Sequence, residues 1–147
     1  MSQLERSDWP DLAGRLDGTG HSLPVRVYYE DTDFSGVVYH AAYLKFLERG
    51  RSDFLRLRGV SHTALGADGL AFAVRRMALD FAKAARIDDV LVVETRVAEC
   101  RGASLRLSQV VMRGASPLVS ADVTVAVIDG DGRPKRLPAD IRAALSP

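Results

Sequence analysis

Three side chains able to do acid–base or nucleophilic chemistry lie close together in the sequence: Asp31, Asp33 and His40. They surround the start of a predicted helix, whose N-terminus presents unpaired N–H donors and the positive end of the helix dipole. Such donors polarise a carbonyl and stabilise an oxyanion, while a nearby carboxylate acts as general base or nucleophile. The junction is therefore the candidate site, although Asp31 or Asp33 also suits a plain role in ending a strand or capping a turn.

The hydrophobic pattern predicts the elements on either side of this junction. Residues 25–30 alternate as a half-buried strand does, and residues 31–36 are turn formers that end it. A helix is then predicted that closes at Gly59, because apolar residues recur at spacings of three, four and seven. Its broad apolar arc indicates that it packs on a large surface such as a sheet. The apolar positions are Tyr43, Leu44, Phe46, Leu47, Phe54, Leu55 and Leu57.

The second half of the chain reads as strands joined by short connections. After a short helix or turn over residues 61–69, the alternation of the next strand changes phase at Arg75 and Arg76, which predicts a bulge. Short connections between long strands indicate antiparallel pairing. One helix cannot cover such a sheet, so a homo-oligomer is expected, with a dimer that extends the sheet as the first choice. The further predicted elements are strands over residues 90–100, 104–113 and 118–129, and a terminal helix over 137–145.

Length and composition limit the classes of protein to consider. The 147 residues are 47% hydrophobic and carry a net charge of +1, as expected for one globular domain without a general attraction for nucleic acid. No apolar run is long enough for a membrane span, and the first ten residues show neither the basic region nor the apolar region of a secretion signal, so a cytoplasmic location is expected. Residues 1–22 lack periodicity and are predicted to form a flexible arm, which leaves residues 23–147 as the single domain.

Several kinds of site are excluded by their missing signatures. The sequence contains no Gly-x-Ser-x-Gly, Walker or Gly-x-Gly-x-x-Gly motif. Residues 31–36 imitate the start of a calcium-binding loop, but Ala42 stands where a bidentate glutamate is needed, and neither a metal nor a cofactor is expected. Cys100, the single cysteine, cannot form an intrachain disulfide and is interpreted as an inert thiol. His21 and His62 are interpreted as solvated.

The sequence also resembles a known family along most of its length. Val25-Arg-Val-Tyr-Tyr-Glu-Asp-Thr-Asp33 and Gly36-Val-Val-Tyr-His-Ala-Ala-Tyr43 are similar to the opening motif of YbgC-type acyl-CoA thioesterases, hotdog-fold relatives of 4-hydroxybenzoyl-CoA thioesterase. The likeness extends over residues 24–140. It continues through Leu47-Glu-Arg49, Phe72-Ala-Val-Arg-Arg-Met77, Ala84-Ala-Arg-Ile-Asp-Asp-Val90, Arg101-Gly-Ala-Ser-Leu105 and Arg136-Leu-Pro138.

The resemblance implies an α+β hotdog fold, in which an antiparallel sheet of about five strands wraps a long central helix. Such chains pair into dimers and commonly tetramers, with the site at a subunit interface. By this likeness Asp33 is the catalytic carboxylate, and the backbone N–H near His40 receives the thioester oxygen while the His40 ring assists. Asp31 then shapes the turn.

Coenzyme A needs cationic contacts for its phosphates. The arginines that stand in matching motifs are Arg75, Arg76, Arg101 and Arg136. Two functions stay open at this point. The first is hydrolysis of an acyl-CoA, or of an acyl group on acyl carrier protein, with Asp33 as base or nucleophile. The second is a binding module for acyl-CoA or acyl carrier protein in a lipid-synthesis or envelope-associated complex, without catalysis.

Overall fold

The computed structural model describes residues 9–147, in which an antiparallel sheet of six strands packs its inner face against a long helix. The strand order across the sheet is β1-β2-β4-β5-β6-β3. The strands are β1 (Arg15–Asp17), β2 (Gly20–Arg26), β3 (Ala71–Phe81), β4 (Val90–Cys100), β5 (Ser104–Arg113) and β6 (Ser116–Ile128). The helices are α1 (Ala42–Leu57), α2 (His62–Ala67) and α3 (Ala139–Leu145).

The long helix α1 forms where the hydrophobic spacing predicts it. Phe46, Leu47 and Phe54 are fully buried against the sheet, because Phe54 follows the other two by eight and seven positions, which places all three on one face of the helix. Gly50 allows the closest approach, since a Cβ there would lie 2.6 Å from Val93 Cγ1 on β4. The helix ends before Gly59, whose φ of 82° is the left-handed conformation that glycine adopts without strain.

Strands β3 to β6 confirm the predicted antiparallel half of the chain. Each pairs in antiparallel register with its neighbour, and the register of β3 against β6 shifts between Val74 and Arg76, where the bulge was expected. The short helix α2 and the terminal helix α3 also fall within the predicted segments. The hotdog fold class is thereby confirmed, with one strand more than the five expected.

The extra strand comes from the segment expected to be a flexible arm, so that prediction is wrong for its described part. β1 pairs with the start of β2, in the register Arg15 to Ser22. His21, expected to be solvated, is 2% exposed, and its Nε2 lies 2.7 Å from the Ala13 carbonyl oxygen. The short polar β1 thus covers the edge that β2 would otherwise present. Residues 1–8 of the predicted arm lie outside the described residues.

The predicted strand over residues 25–30 is also wrong at its C-terminal end. β2 stops at Arg26, and Tyr29–Asp31 form a 3-10 turn. The alternation misleads because Tyr28 and Tyr29 are both exposed, the second at 83%, so neither contributes to the core. The chain therefore turns earlier than the hydrophobic pattern indicates, and the turn begins at the residues that lead to Asp33.

At the other edge of the sheet, β3 has a neighbour on one side only. Phe72, Val74 and Met77 share the inner face with the buried valines of β6 that they pair with. Val74 and Phe81 are nevertheless 48% and 51% exposed. This edge therefore presents unpaired backbone groups together with an apolar row. No helix among residues 9–147 is long and apolar enough to cross a membrane.

Candidate active site

The loop that carries Asp33 is a tight turn fixed by its own backbone. The Asp33 N–H donates to the Val37 carbonyl oxygen at 3.1 Å, and the Gly36 N–H donates to the Asp33 carbonyl oxygen at 3.0 Å. Gly36 has a φ of 80°, which a residue with a Cβ rarely adopts. The chain thus reverses within the turn and leads directly into the start of α1.

Asp33 presents an exposed carboxylate that is held in its ionised form. Its Oδ1 accepts hydrogen bonds from the Ser35 hydroxyl and from the Ser35 N–H, the latter at 2.9 Å. The Ser35 hydroxyl lowers the pKa of Asp33 most, followed by the Ser35 N–H, and a smaller lowering comes from His40. Oδ2 has no hydrogen-bond partner among residues 9–147, so it is the oxygen free to act on a substrate.

Asp31 has the structural role in the same loop. It is 8% exposed, and its Oδ2 accepts the Tyr28 N–H at 2.9 Å, which closes the 3-10 turn. Its carbonyl oxygen accepts the Tyr39 N–H at 2.8 Å. Asp31 therefore ties the strand side of the loop to the helix side, and its buried carboxylate faces away from the solvent that Asp33 reaches.

The start of α1 leaves backbone donors free beside this carboxylate. Ala41 occupies the N-cap position, and its side chain offers no capping hydrogen bond. Within the described chain, neither the His40 N–H nor the Ala41 N–H donates to a backbone or side-chain oxygen. Uncapped N–H donors at a helix N-terminus can stabilise a negative charge that develops on a bound substrate.

A cleft of ≈ 220 Å³ opens where the helix start meets the end of β3. The His40 ring lines it and lies 4.6 Å from the Tyr39 ring and 6.4 Å, edge-on, from the Phe81 ring, as measured between ring centroids. Lys83 also lines the cleft and adds a cation beside the helix start. The cleft can therefore hold a polar reacting group against an apolar wall.

The loop before β4 fixes the helix start in place. The Val38 N–H donates to the Ala85 carbonyl oxygen at 2.8 Å, and the Ala85 N–H donates to the Tyr43 hydroxyl at 3.0 Å. The same loop is braced by Asp89, whose carboxylate accepts from Arg113 Nη1 at 2.9 Å. These buried or partly buried contacts connect the helix start, which follows the Asp33 turn, to the loop before β4 and so to the sheet.

The four arginines expected to contact coenzyme A do not converge on this cleft within one chain. Arg75 and Arg76 are exposed on the β3 bulge. Arg101 pairs with Glu99 at 2.6 Å, at the far end of β4 from the loop that holds Val38. The length of β4 places Arg101 about 30 Å from that loop. Arg136 lies over Gly102 and therefore belongs to the Arg101 end of the sheet.

Two residues beside the candidate site, Tyr43 and Lys83, were not predicted from the sequence. Tyr43 was interpreted as one apolar residue among seven in the helix, although its hydroxyl on the buried face needs a partner and signals a cross-link. No local pattern predicted the position of Lys83, because Lys83 lies near His40 only through the packing of the end of β3 beside the start of α1. Cys100 is partly buried at the end of β4, where burial raises the pKa of its thiol, as suits an inert cysteine.

Comparison with known proteins shows the family to which the chain belongs. A model of the thioesterase-like superfamily matches residues 27–145. The acyl-CoA thioesterase YbgC of Haemophilus influenzae is 48% identical over 128 residues, which cover 86% of this chain and 94% of that protein. A probable thioesterase from Bartonella henselae, also 48% identical, superposes with a TM-score of 0.77 over 81% of this chain and 99% of its own. A 4-hydroxybenzoyl CoA thioesterase at 21% identity shares the fold, with a TM-score of 0.80 over 88% of this chain and 100% of that chain.

The sheet packed on one long helix, together with the superfamily match, defines a hotdog protein of the thioesterase-like superfamily. Within that superfamily the chain belongs to the YbgC family and is a thioester hydrolase. The family resemblance found in the sequence is thereby confirmed.

Proposed function

We propose that this protein hydrolyses acyl-CoA thioesters, with Asp33 as the catalytic carboxylate. The observation that carries the proposal is the pairing of an exposed, ionised carboxylate with the uncapped N–H donors at the start of α1. The YbgC relatives are named acyl-CoA thioesterases, which agrees with this chemistry. A thioester carbonyl placed between Asp33 and His40 meets a base or nucleophile on one side and an oxyanion site on the other.

The reaction follows from these two groups. The carbonyl oxygen accepts the His40 N–H and gains negative charge as the carbonyl carbon is attacked. Asp33 Oδ2 either attacks the carbon itself, giving a mixed anhydride that water then opens, or removes a proton from the attacking water. In both routes the C–S bond breaks and the coenzyme A thiolate takes the proton that water loses. The water oxygen ends in the free acid, except that attack of water on the Asp33 carbonyl of the anhydride leaves it in Asp33 and releases an Asp33 oxygen in the acid. The His40 ring assists from the wall of the cleft.

The test is thiol release from a panel of acyl-CoA thioesters, run beside an acyl-carrier-protein substrate. Wild-type protein should release thiol, and Asp33→Asn should lower kcat by about 10²- to 10⁴-fold, the usual contribution of a positioned acid–base group. Asp131→Asn, an exposed aspartate on another turn, is the matched control and should retain activity. Wild-type protein that binds acyl-CoA tightly and releases no thiol would instead support the binding module.

We further propose that the complete site needs a second copy of the chain. The β3 edge presents an apolar row with unpaired backbone, which a β3 strand of another copy can extend. Arg101 and Arg136 lie too far from the cleft of their own chain to hold the phosphates of a coenzyme A bound there. A partner that joins at β3 supplies these arginines from its own sheet. A dimer, or a tetramer built from two dimers, satisfies this requirement.

Mixing two weakly active variants tests the shared site. Asp33→Asn lacks the carboxylate, and Arg101→Ala/Arg136→Ala lacks the phosphate contacts, so each is expected to be weakly active by itself. If the two sets act across an interface, co-refolded mixtures form hybrids that contain one intact site and exceed the summed activity of the parents. Mixtures that never exceed that sum, despite exchange of subunits seen by native mass spectrometry, would show that each chain uses its own residues.

A further inference from the structure

Arg51, in the middle of α1, is a buried cation without a counter-ion. It is 8% exposed, and its one hydrogen bond among residues 9–147 runs from Nη1 to Gln109 Oε1 at 3.2 Å. No carboxylate oxygen in that part of the chain lies within 4.0 Å of it. Burial lowers the pKa of Arg51, which Glu48 one turn earlier partly opposes. A guanidinium has five N–H donors, so most of them lack a protein partner here.

Arg51 lines a cavity of ≈ 140 Å³ between α1 and the sheet. Most of the wall is apolar, and polar groups gather at the helix side. There the Ser52 hydroxyl donates to Glu48 Oε1 at 3.0 Å and lies 3.5 Å from His62 Nε2. The apolar wall consists of Leu55, Phe72, Val74, Leu107 and Val125. The cavity therefore suits a mainly apolar group that ends in a polar atom.

The cleft and this cavity are both lined by α1 or the residues that lead into it and by β3 or the residues that follow it, and we name the surface between them the α1–β3 groove. On its helix side, Leu44, Glu48 and Ser52 follow His40 at intervals of four residues, along one face of α1. On its sheet side runs the inner row of β3, from Phe81 at the cleft to Phe72 at the cavity. Arg51 lies about 14 Å along the helix axis from the first residue of α1. That distance matches an extended medium-chain acyl group.

We infer that the acyl chain lies in the α1–β3 groove and that Arg51 selects acyl groups carrying an oxygen acceptor at their far end. This inference rests on the proposed thioesterase function. An oxygen there accepts the free guanidinium donors, whereas a methyl end displaces water from them and leaves them unpaired. Both a hydroxyl and a carboxylate provide the acceptor. Glu48 adds a negative charge beside Arg51, so the two are compared separately.

The experiment compares kcat/KM for three thioesters of one length: dodecanoyl-CoA, 12-hydroxydodecanoyl-CoA and dodecanedioyl-CoA. Wild-type protein should prefer at least one polar-ended substrate over the methyl-ended one by roughly tenfold or more, because a site built to donate hydrogen bonds rejects a substrate without the acceptor. Hexanoyl-CoA and 6-hydroxyhexanoyl-CoA serve as a short, uncharged pair that cannot reach Arg51, and their ratio should stay near one. No preference in the long set, or an equal preference in the short pair, overturns the inference.

Two variants test whether the Arg51 guanidinium causes the preference for polar-ended acyl groups. Arg51→Met should bring the long-set ratio close to one, and Arg51→Lys, which keeps the charge without the fork, should lower it in part. Arg49→Met removes an exposed arginine from the same helix and is the matched control, with the wild-type ratio expected. A ratio that Arg51→Lys leaves unchanged contradicts the role of Arg51, even if Arg51→Met does not fold.

Calorimetric binding of the intact thioesters to Asp33→Asn separates this inference from the proposed function, because the acyl carboxyl group is then blocked by coenzyme A. Dodecanedioyl-CoA or 12-hydroxydodecanoyl-CoA should bind this protein roughly tenfold more tightly than dodecanoyl-CoA, and adding Arg51→Lys should reduce that difference. If wild-type protein cleaves no thioester but this binding order holds, the groove is supported and the thioesterase proposal fails. If wild-type protein cleaves thioesters but the three bind Asp33→Asn equally, the thioesterase proposal stands and the selection by Arg51 is refuted.

Discussion

Polar groups at the start of α1 are exposed, whereas those at its middle are buried. At the helix start, Asp33 and the His40 N–H face solvent, and the hydrogen bonds of the turn are local in sequence. Against the middle of the helix, Gln109 of β5 is 1% exposed and joins distant elements, since its Nε2 donates to the Leu47 carbonyl oxygen at 3.0 Å and to Thr95 Oγ1 at 2.9 Å. The first set is free for chemistry, and the second fastens helix to sheet.

The contrast indicates which property each region controls. A buried polar network is costly when one member is lost, because the remaining groups stay buried without partners. Substitution of an exposed polar group changes the free energy of unfolding little, because water replaces the lost partner. Changes in the helix middle should therefore act on the free energy of unfolding, and changes at the turn should act on turnover. The following substitutions test that division.

The largest effect on stability is expected for Gln109→Leu. It removes the amide that joins Arg51, Thr95 and Leu47, so the free energy of unfolding should fall by about 3 kcal/mol, the cost of leaving buried polar groups unpaired. Urea unfolding followed by circular dichroism measures the change, with Ser108→Ala, an exposed neighbour on β5, as the control. A loss below about 0.5 kcal/mol, the range of ordinary surface substitutions, contradicts a stabilising network.

Tyr43→Phe should have an intermediate effect on both properties, because its hydroxyl connects the helix start to the loop before β4. Loss of the acceptor leaves the Ala85 N–H unpaired, which should cost about 1 kcal/mol of unfolding free energy. The donors at the helix start should also shift, so kcat should fall while KM changes little. Tyr39→Phe changes a half-exposed tyrosine beside the site and is the control. Equal kinetics in the two variants would exclude a positioning role for the Tyr43 hydroxyl.

The smallest effect is expected for Ser35→Ala, which should leave stability unchanged and alter the pH dependence of turnover. The Ser35 hydroxyl is the main cause of the lowered pKa of Asp33, so its removal raises that pKa. Because the reaction needs the ionised carboxylate, the acidic limb of kcat/KM should move to higher pH. The measurement is a pH–rate profile beside wild type. An acidic limb that stays in place would mean that another group sets it.

The sequence predicted the strands and the long helix well, because hydrophobic periodicity reflects which face is buried. The β4 and β5 boundaries agree with the predicted residues 90–100 and 104–113. Periodicity failed at Tyr28 and Tyr29, whose apolar character does not correspond to burial. It also missed β1, a short polar strand whose backbone pairing needs no apolar pattern.

For the candidate site, local spacing was informative and long-range contacts were not. Asp33 and His40 are close in sequence, so their meeting at a helix start could be predicted. The contact of Tyr43 with Ala85 and the position of Lys83 depend on the tertiary packing of segments that are distant in sequence. A local hydrophobic pattern does not predict such packing. Binding of coenzyme A phosphates by Arg101 and Arg136 stays a prediction, because within one chain these arginines lie far from the cleft beside His40.

The role of Asp33 is tested most directly by measuring turnover and unfolding on the same preparation of Asp33→Asn. Thiol release from acyl-CoA should fall by about 10²-fold or more, while the urea midpoint stays at the wild-type value because the Asp33 side chain is exposed. Turnover that persists in a folded Asp33→Asn protein would contradict the assignment of Asp33 as the catalytic carboxylate.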